Sequence, residues 1–95
     1  MLKNYTFDGR FLKDRHGNRV GETDGKTIRN REYYRVGEIN GRYIFNDKNQ
    51  KIAEIDGTKL KNMQGRNIAS VDDVHKDVDG PGGITLLGIW FLLVR

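Results

Sequence analysis

The dipeptides Asp8-Gly9, Asp24-Gly25, Asn40-Gly41 and Asp56-Gly57 stand 16 residues apart at every step. Asp72-Asp73 keeps the spacing once more and loses the glycine. A fixed period of this kind constrains the fold more than any single motif, because it marks one supersecondary unit copied along the chain. Counting each copy from its Asx residue, further positions agree. The fifth is Leu12, Ile28, Ile44 and Leu60, and the seventh is Asp14, Asn30, Asn46 and Asn62. The thirteenth is Val20, Val36, Ile52 and Ile68, and the fourteenth is Gly21, Gly37, Ala53 and Ala69. Glu22, Glu38, Glu54 and Ser70 hold the fifteenth, and Thr23, Ile39, Ile55 and Val71 the sixteenth.

Asx-Gly between β-formers favours a two-residue hairpin loop, in which both central residues take positive φ. A second turn falls in mid-repeat, where the seventh-position Asx can bond its own backbone. The tenth position of that turn is Gly17, Tyr33, Asn49 and Gly65. Each unit therefore holds two strands of about five residues, and four units hold about eight. Turn signals recur too closely for an ordinary helix across residues 8–71. One unit cannot bury its own face, so the copies must stack as a solenoid or close as a ring. No copy looks like a cap, which favours closure, since a ring hides its edges. The expectation is an all-β single domain over residues 1–95. Hairpin repeats span 8–23, 24–39, 40–55 and 56–71, closed with pseudo-fourfold symmetry; a joint follows over 72–83 and an apolar tail over 84–95. The small fourteenth position marks either close backbone approach or a β-bulge.

Composition excludes several classes. Cysteine is absent and only His16 and His75 are present, so a disulfide scaffold is excluded and a structural zinc site nearly so. No secretory leader is visible at the N-terminus. The apolar run 84–94 would be roughly 17 Å long as a helix, against about 30 Å of hydrocarbon. A cytoplasmic, bacterial-type protein is the default expectation. The run is apolar on all sides, so it should turn at Pro81-Gly82-Gly83 and pack into the core, as strand or as helix.

Few residues carry a chemical signal. His16 and His75 have no second ligand at strand or helix spacing. Glu22, Glu38 and Glu54 could form a carboxylate ring for a cation in a closed barrel. The simpler expectation is pairing with the basic twelfth position, Arg19, Arg35 and Lys51. Gly83 and Gly88 have the spacing of a phosphate-binding loop, but Ile89 and Trp90 follow where Lys and Ser or Thr are required. No nucleophile with an adjacent base is evident. The expectation is therefore no catalysis, no cofactor and no metal.

Charge is the more informative property. Lys and Arg number 17 against 13 Asp and Glu, a net charge of +4. Residues 1–71 hold 15 of the basic residues and 9 of the acidic ones. The basic residues recur by position: Arg10, Lys26 and Arg42 at the third, and Lys13, Arg29 and Lys61 at the sixth. Tyr33, Tyr34, Tyr43 and Phe45 are interleaved with them. Such a band could hold phosphates by charge and bases by stacking, or it could be a solvated surface kept soluble by charge.

The pattern Asp-Gly-x-x-Ile-x-Asn with Val/Ile-Gly/Ala-Glu-Ile, seen over 24–39 and 40–55, resembles the small bacterial four-fold beta-flower proteins. The resemblance covers residues 8–71, with the Gly-rich joint and Leu-rich tail in keeping. It implies a flower-like ring of hairpins and carries over no functional residues. Choline-binding repeats need a recurring Trp, and the only Trp is Trp90. The expected role is a non-catalytic structural or protein-interaction module, binding another protein or itself. The alternative is weak, non-sequence-specific nucleic-acid binding through Arg10, Lys26, Arg42, Lys13, Arg29 and Lys61.

Overall fold

The computed structural model describes residues 3–94. Ten strands form one sheet: β1 (Tyr5–Phe7), β2 (Phe11–Asp14), β3 (Arg19–Thr23), β4 (Thr27–Asn30), β5 (Arg35–Asn40), β6 (Tyr43–Asn46), β7 (Lys51–Asp56), β8 (Lys59–Lys61), β9 (Asn67–Ser70) and β10 (Val78–Asp79). A short helix α1 (Val71–His75) joins β9 to β10, and α2 (Ile84–Ile89) runs into a π-helical stretch over Trp90–Val94. The sheet order is β10-β1-β2-β3-β4-β5-β6-β7-β8-β9. All neighbours are antiparallel except β1 and β10, the first and last strands in the sequence, which pair parallel. The expected eight strands in a closed ring are thus corrected to ten in an open sheet. The interval between β9 and β10 is spanned by α1, which packs against both strands and α2.

The period is visible in the hydrogen bonding. Leu12 pairs with Gly21, but Lys13 pairs with Arg19, so Val20 is an extra residue in β3. The same one-residue shift isolates Val36, Ile52 and Ile68. The thirteenth position is therefore a recurrent β-bulge, which bends each hairpin and raises its twist. Beside it, the inward face alternates as a half-buried strand requires. Leu12, Ile28, Ile44 and Leu60 are fully buried, with Thr23, Ile39 and Ile55 next to them. Thr23 is the buried polar exception, and it is satisfied: its hydroxyl donates to the Thr27 carbonyl and accepts from Gly25 N–H.

The apolar tail is helical, and it lies on this inward face. Leu86, Leu87 and Ile89 are fully buried with the sheet aliphatics, Val74 and Val78. A Cβ on Gly37 would overlap the Phe45 carbonyl oxygen and Leu92; one on Gly21 would overlap the Arg29 carbonyl oxygen and Leu93. The fourteenth position adjoins the bulge, and at Gly21 and Gly37 a neighbouring backbone carbonyl approaches closely, as anticipated, while the tail leucines sit there as well. Gly88 is the reciprocal gap in the tail, filled by Ile39.

The Asx-Gly loops depart from expectation. Positive φ is found at Gly9, Gly25, Gly41 and Gly57 and not at the Asx before them. In the third and fourth loops Asn40 pairs with Tyr43 and Asp56 with Lys59, so Gly and the residue after it are central. That is the pattern of loops with glycine at the first central position rather than of those with two positive φ values. In the first and second loops the carboxylates of Asp8 and Asp24 accept two backbone N–H groups each.

Candidate interaction surface

The mid-repeat turns form one rim of the sheet. The seventh-position side chain builds each of them in the same way. Asp14 Oδ1 accepts from His16 and Asn18 N–H, both at 2.9 Å. Asn30 accepts from Glu32 and Tyr34, Asn46 from Lys48 and Gln50, and Asn62 from Gln64 and Arg66. Donation from Asn18 N–H, helped by His16 N–H and outweighing a desolvation that acts the other way, holds the Asp14 carboxyl below its ordinary range.

This geometry demands left-handed backbone at the tenth position. Gly17, Tyr33, Asn49 and Gly65 all have positive φ, Tyr33 at 69°. Glycine and asparagine tolerate that conformation; for tyrosine it costs about 1–2 kcal/mol. Arg19 offsets part of this, since its guanidinium sits 4.0 Å from the Tyr33 ring centroid, a contact worth about 0.5–1 kcal/mol at an exposed site. Tyr33 still leaves 62% of its surface exposed, and Tyr34 71%. Met63 stands on the fourth turn of this rim and is also exposed.

The twelfth-position arginines tie each turn to the next. Arg19 Nη2 donates to the Arg31 carbonyl at 2.7 Å. Arg35 donates to the Asp47 carbonyl and to Asn49 Oδ1. Both also pair with the glutamate three residues on, Glu22 and Glu38. Lys51 instead lies over the Tyr43 ring, 4.0 Å from its centroid. A single ammonium lacks the forked donors with which Arg reaches a carbonyl and a carboxylate together.

The six basic residues singled out from sequence divide into two groups. Arg10, Lys26 and Arg42 each face a fifteenth-position glutamate, at 3.8, 3.9 and 3.6 Å. Lys61 pairs with Asp56. Lys13 and Arg29 make no ion pair among the described residues. Glu22, Glu38 and Glu54 are thus spread among their own cations, and no group of three His, Cys, Asp or Glu able to hold a metal is found among the described residues. Ser70 breaks the glutamate column because the chain leaves the sheet there. Its hydroxyl caps α1 by accepting from Asp73 N–H, and Asp73 accepts from Ser70 N–H in return. Tyr43 and Phe45, both half-buried, lie in β6 and not on the rim.

Among the described residues, no helix is long and apolar enough to cross a membrane. Residues 4–79 match the family model described as 5-fold beta-flower protein. No curated protein and no solved structure matches the chain. The beta-flower resemblance drawn from the repeats thus meets a family described as five-fold, not four-fold.

Proposed function

For a chain that belongs to the 5-fold beta-flower family, we propose a non-catalytic binding module that engages a macromolecular partner through the rim of mid-repeat turns. Its sectors are the four hairpins β2–β3, β4–β5, β6–β7 and β8–β9, with β10 and β1 as the fifth. One observation carries the reading. Of the exposed large apolar side chains among the described residues, Tyr33, Tyr34 and Met63 all stand on this rim, with Ile84 the exception at the start of α2. The opposite rim of Asx-Gly loops carries none of them. Adjacent exposed aromatics held by rigid turns are what interface anchors require, because they bring large contact area at low entropic cost. The non-catalytic character is supported by the glutamate column, whose members are engaged in ion pairs rather than aimed into a cavity.

The test is site-specific photo-crosslinking in the native cell. A photoreactive residue at Tyr34 should give discrete adducts that the same residue at Thr58, on the opposite rim, does not. Equal adduct patterns at both positions, or adducts from Thr58 alone, would remove the reading.

A further inference from the structure

We infer that turns 14–18 and 30–34 form one site for single-stranded nucleic acid, holding the phosphate backbone beside Lys3, Lys13 and Arg15 and a base on Tyr33 and Tyr34. The inference rests on the rim reading above and names the partner.

The first half of the site is a cleft of about 310 Å³ where β1 and β2 meet the first turn. Lys3, Lys13 and Arg15 line it, with the Thr6 side chain. None of the three cations has an ion pair among the described residues. The acidic members of the wall are Asp14 and Asp79. Asp14 is occupied by its own turn, accepting from His16 and Asn18. Those hydrogen bonds keep Asp14 ionised, so the cleft presents three cations against two carboxylates and is basic by one charge. The third-position cations of the sheet each face a glutamate, whereas Lys3 and Arg15 make no ion pair among the described residues. A second cleft of about 390 Å³ shares Asp14 and Arg15 with the first and adds Asn4, His16 and Asp77.

The second half is the neighbouring turn. Arg15 and Arg31 hold the same position in consecutive repeats. Two strand spacings separate the hairpins, about 10 Å, and the Arg19–Arg31 hydrogen bond fixes the two turns to each other. Arg19 covers one side of Tyr33, which leaves the rest of the ring open for a second planar group. Arg31 stands in the same turn as the tyrosines and makes no ion pair among the described residues. Tyrosine at a left-handed position, where Gly17 and Gly65 serve the identical turn, is a cost to the fold that a stacking contact would explain. A basic cleft one hairpin away from open aromatic rings is the arrangement by which single strands are held: charge on the backbone, rings on the bases. A duplex keeps its bases stacked on each other and would use only the cleft.

Fluorescence anisotropy with a labelled oligothymidylate at several salt concentrations tests this. Neutralising three phosphates predicts a slope of log K on log salt of about −2. Lys13→Ala with Arg15→Ala should flatten that slope by about 1.4. Tyr33→Gly restores the residue that two sibling turns already use, so its melting temperature should hold. Tyr33→Gly and Tyr34→Ala should each weaken binding roughly 5- to 100-fold. The same sequence annealed to its complement should bind more weakly and ignore the tyrosine changes. Absence of binding at low salt, or binding that none of the four substitutions alters, overturns the inference. If the oligonucleotide fails while Tyr34 crosslinks to a protein, the rim reading survives and the nucleic-acid inference does not. If Tyr34 gives no specific adduct either, both fall.

Discussion

The sheet and the C-terminal helix bury apolar surface in opposite ways. Each strand has only three to six residues at most positions in the order, and every second side chain turns inward. The outer face is covered by Arg–Glu and Lys–Glu pairs. The tail has no polar face at all: from Ile84 to Val94 only Thr85 and Gly88 interrupt large apolar side chains. A helix of that kind is stable only when surrounded. The sheet is too thin to form a core by itself, and the helix too apolar to stand in water. Each supplies what the other lacks, and the contact between them is specific: Leu92 and Leu93 over Gly37 and Gly21, Ile39 against Gly88.

The most direct way to break this relation is to truncate after Gly83. Leu86, Leu87 and Ile89 are fully buried, at about 1.5–3 kcal/mol for each large side chain. Their loss, with the half-buried residues 90–94, is comparable to a whole domain stability of about 5–15 kcal/mol. The truncated chain should show no cooperative thermal transition by circular dichroism. A soluble fragment melting near the parent temperature would mean that the sheet does not need the tail.

A smaller change at the seam sharpens the point. Gly37→Val places methyl groups where the Phe45 carbonyl and Leu92 already sit. Overpacking of this kind costs about 1–3 kcal/mol. Urea denaturation should show a lower midpoint with an unchanged slope. Equal stability would show that the tail is not seated at the fourteenth position. Gly41→Val acts on the sheet alone, since a Cβ there meets nothing but needs positive φ. Its expected cost is about 1 kcal/mol, and an unchanged melting temperature would contradict the strained turn at that loop.

The repeated part of this architecture was legible because each column has one physical duty: a fully buried aliphatic at the fifth position, an Asx turn-builder at the seventh, a small residue at the fourteenth. The pairing of β1 with β10 was not, because the two strands lie on either side of all the repeats in the sequence. Tyr5, Thr6 and Phe7 continue the fourteenth to sixteenth columns backwards by 16 residues, but Tyr5 replaces the small residue and hides the match. Its partner β10 is two residues long and parallel, with no hairpin turn to announce it. The helical state of the tail could not be chosen from residue types, since Ile, Trp, Phe and Val favour strand. A helix satisfies its own backbone inside an already paired sheet, whereas another strand there would have no ladder to join. At the rim, Tyr33 and Tyr34 are visible in the sequence, but nothing there separates their exposure from the half-buried state of Tyr43 and Phe45. The columns do not show that the third-position cations face glutamates.

Acid separates the two regions most finely, because the segment 84–94 carries no titratable side chain. The sheet loops do. Donation from Phe11 N–H lowers the Asp8 carboxyl, and donation from Lys26 N–H lowers Asp24. Asn18 N–H does the same to Asp14, and Ser70 N–H to Asp73 at the start of α1. A folded-state value below the ordinary 3.8 means that the folded form holds its proton less tightly than the unfolded chain. The stabilisation is therefore fully present above about pH 4 and is lost as pH falls through the lowered values. These carboxylates are exposed, so the effect on overall stability is small and the local readout is the sensitive one. Asparagine serves the same duty in the sibling turns at Asn30, Asn46 and Asn62 and does not titrate. Between pH 5 and roughly pH 2, the amide resonances of His16 and Asn18 should shift with one titration as Asp14 takes up its proton. Those of Gln64 and Arg66, in the identical turn built by Asn62, should stay fixed, as should the amides of Leu86 and Leu87. Asp14→Asn should abolish the first titration without moving the melting temperature at pH 7. Movement of the tail amides in step with His16 would show that turn and tail are coupled, and that the sheet and its helix do not answer acid separately.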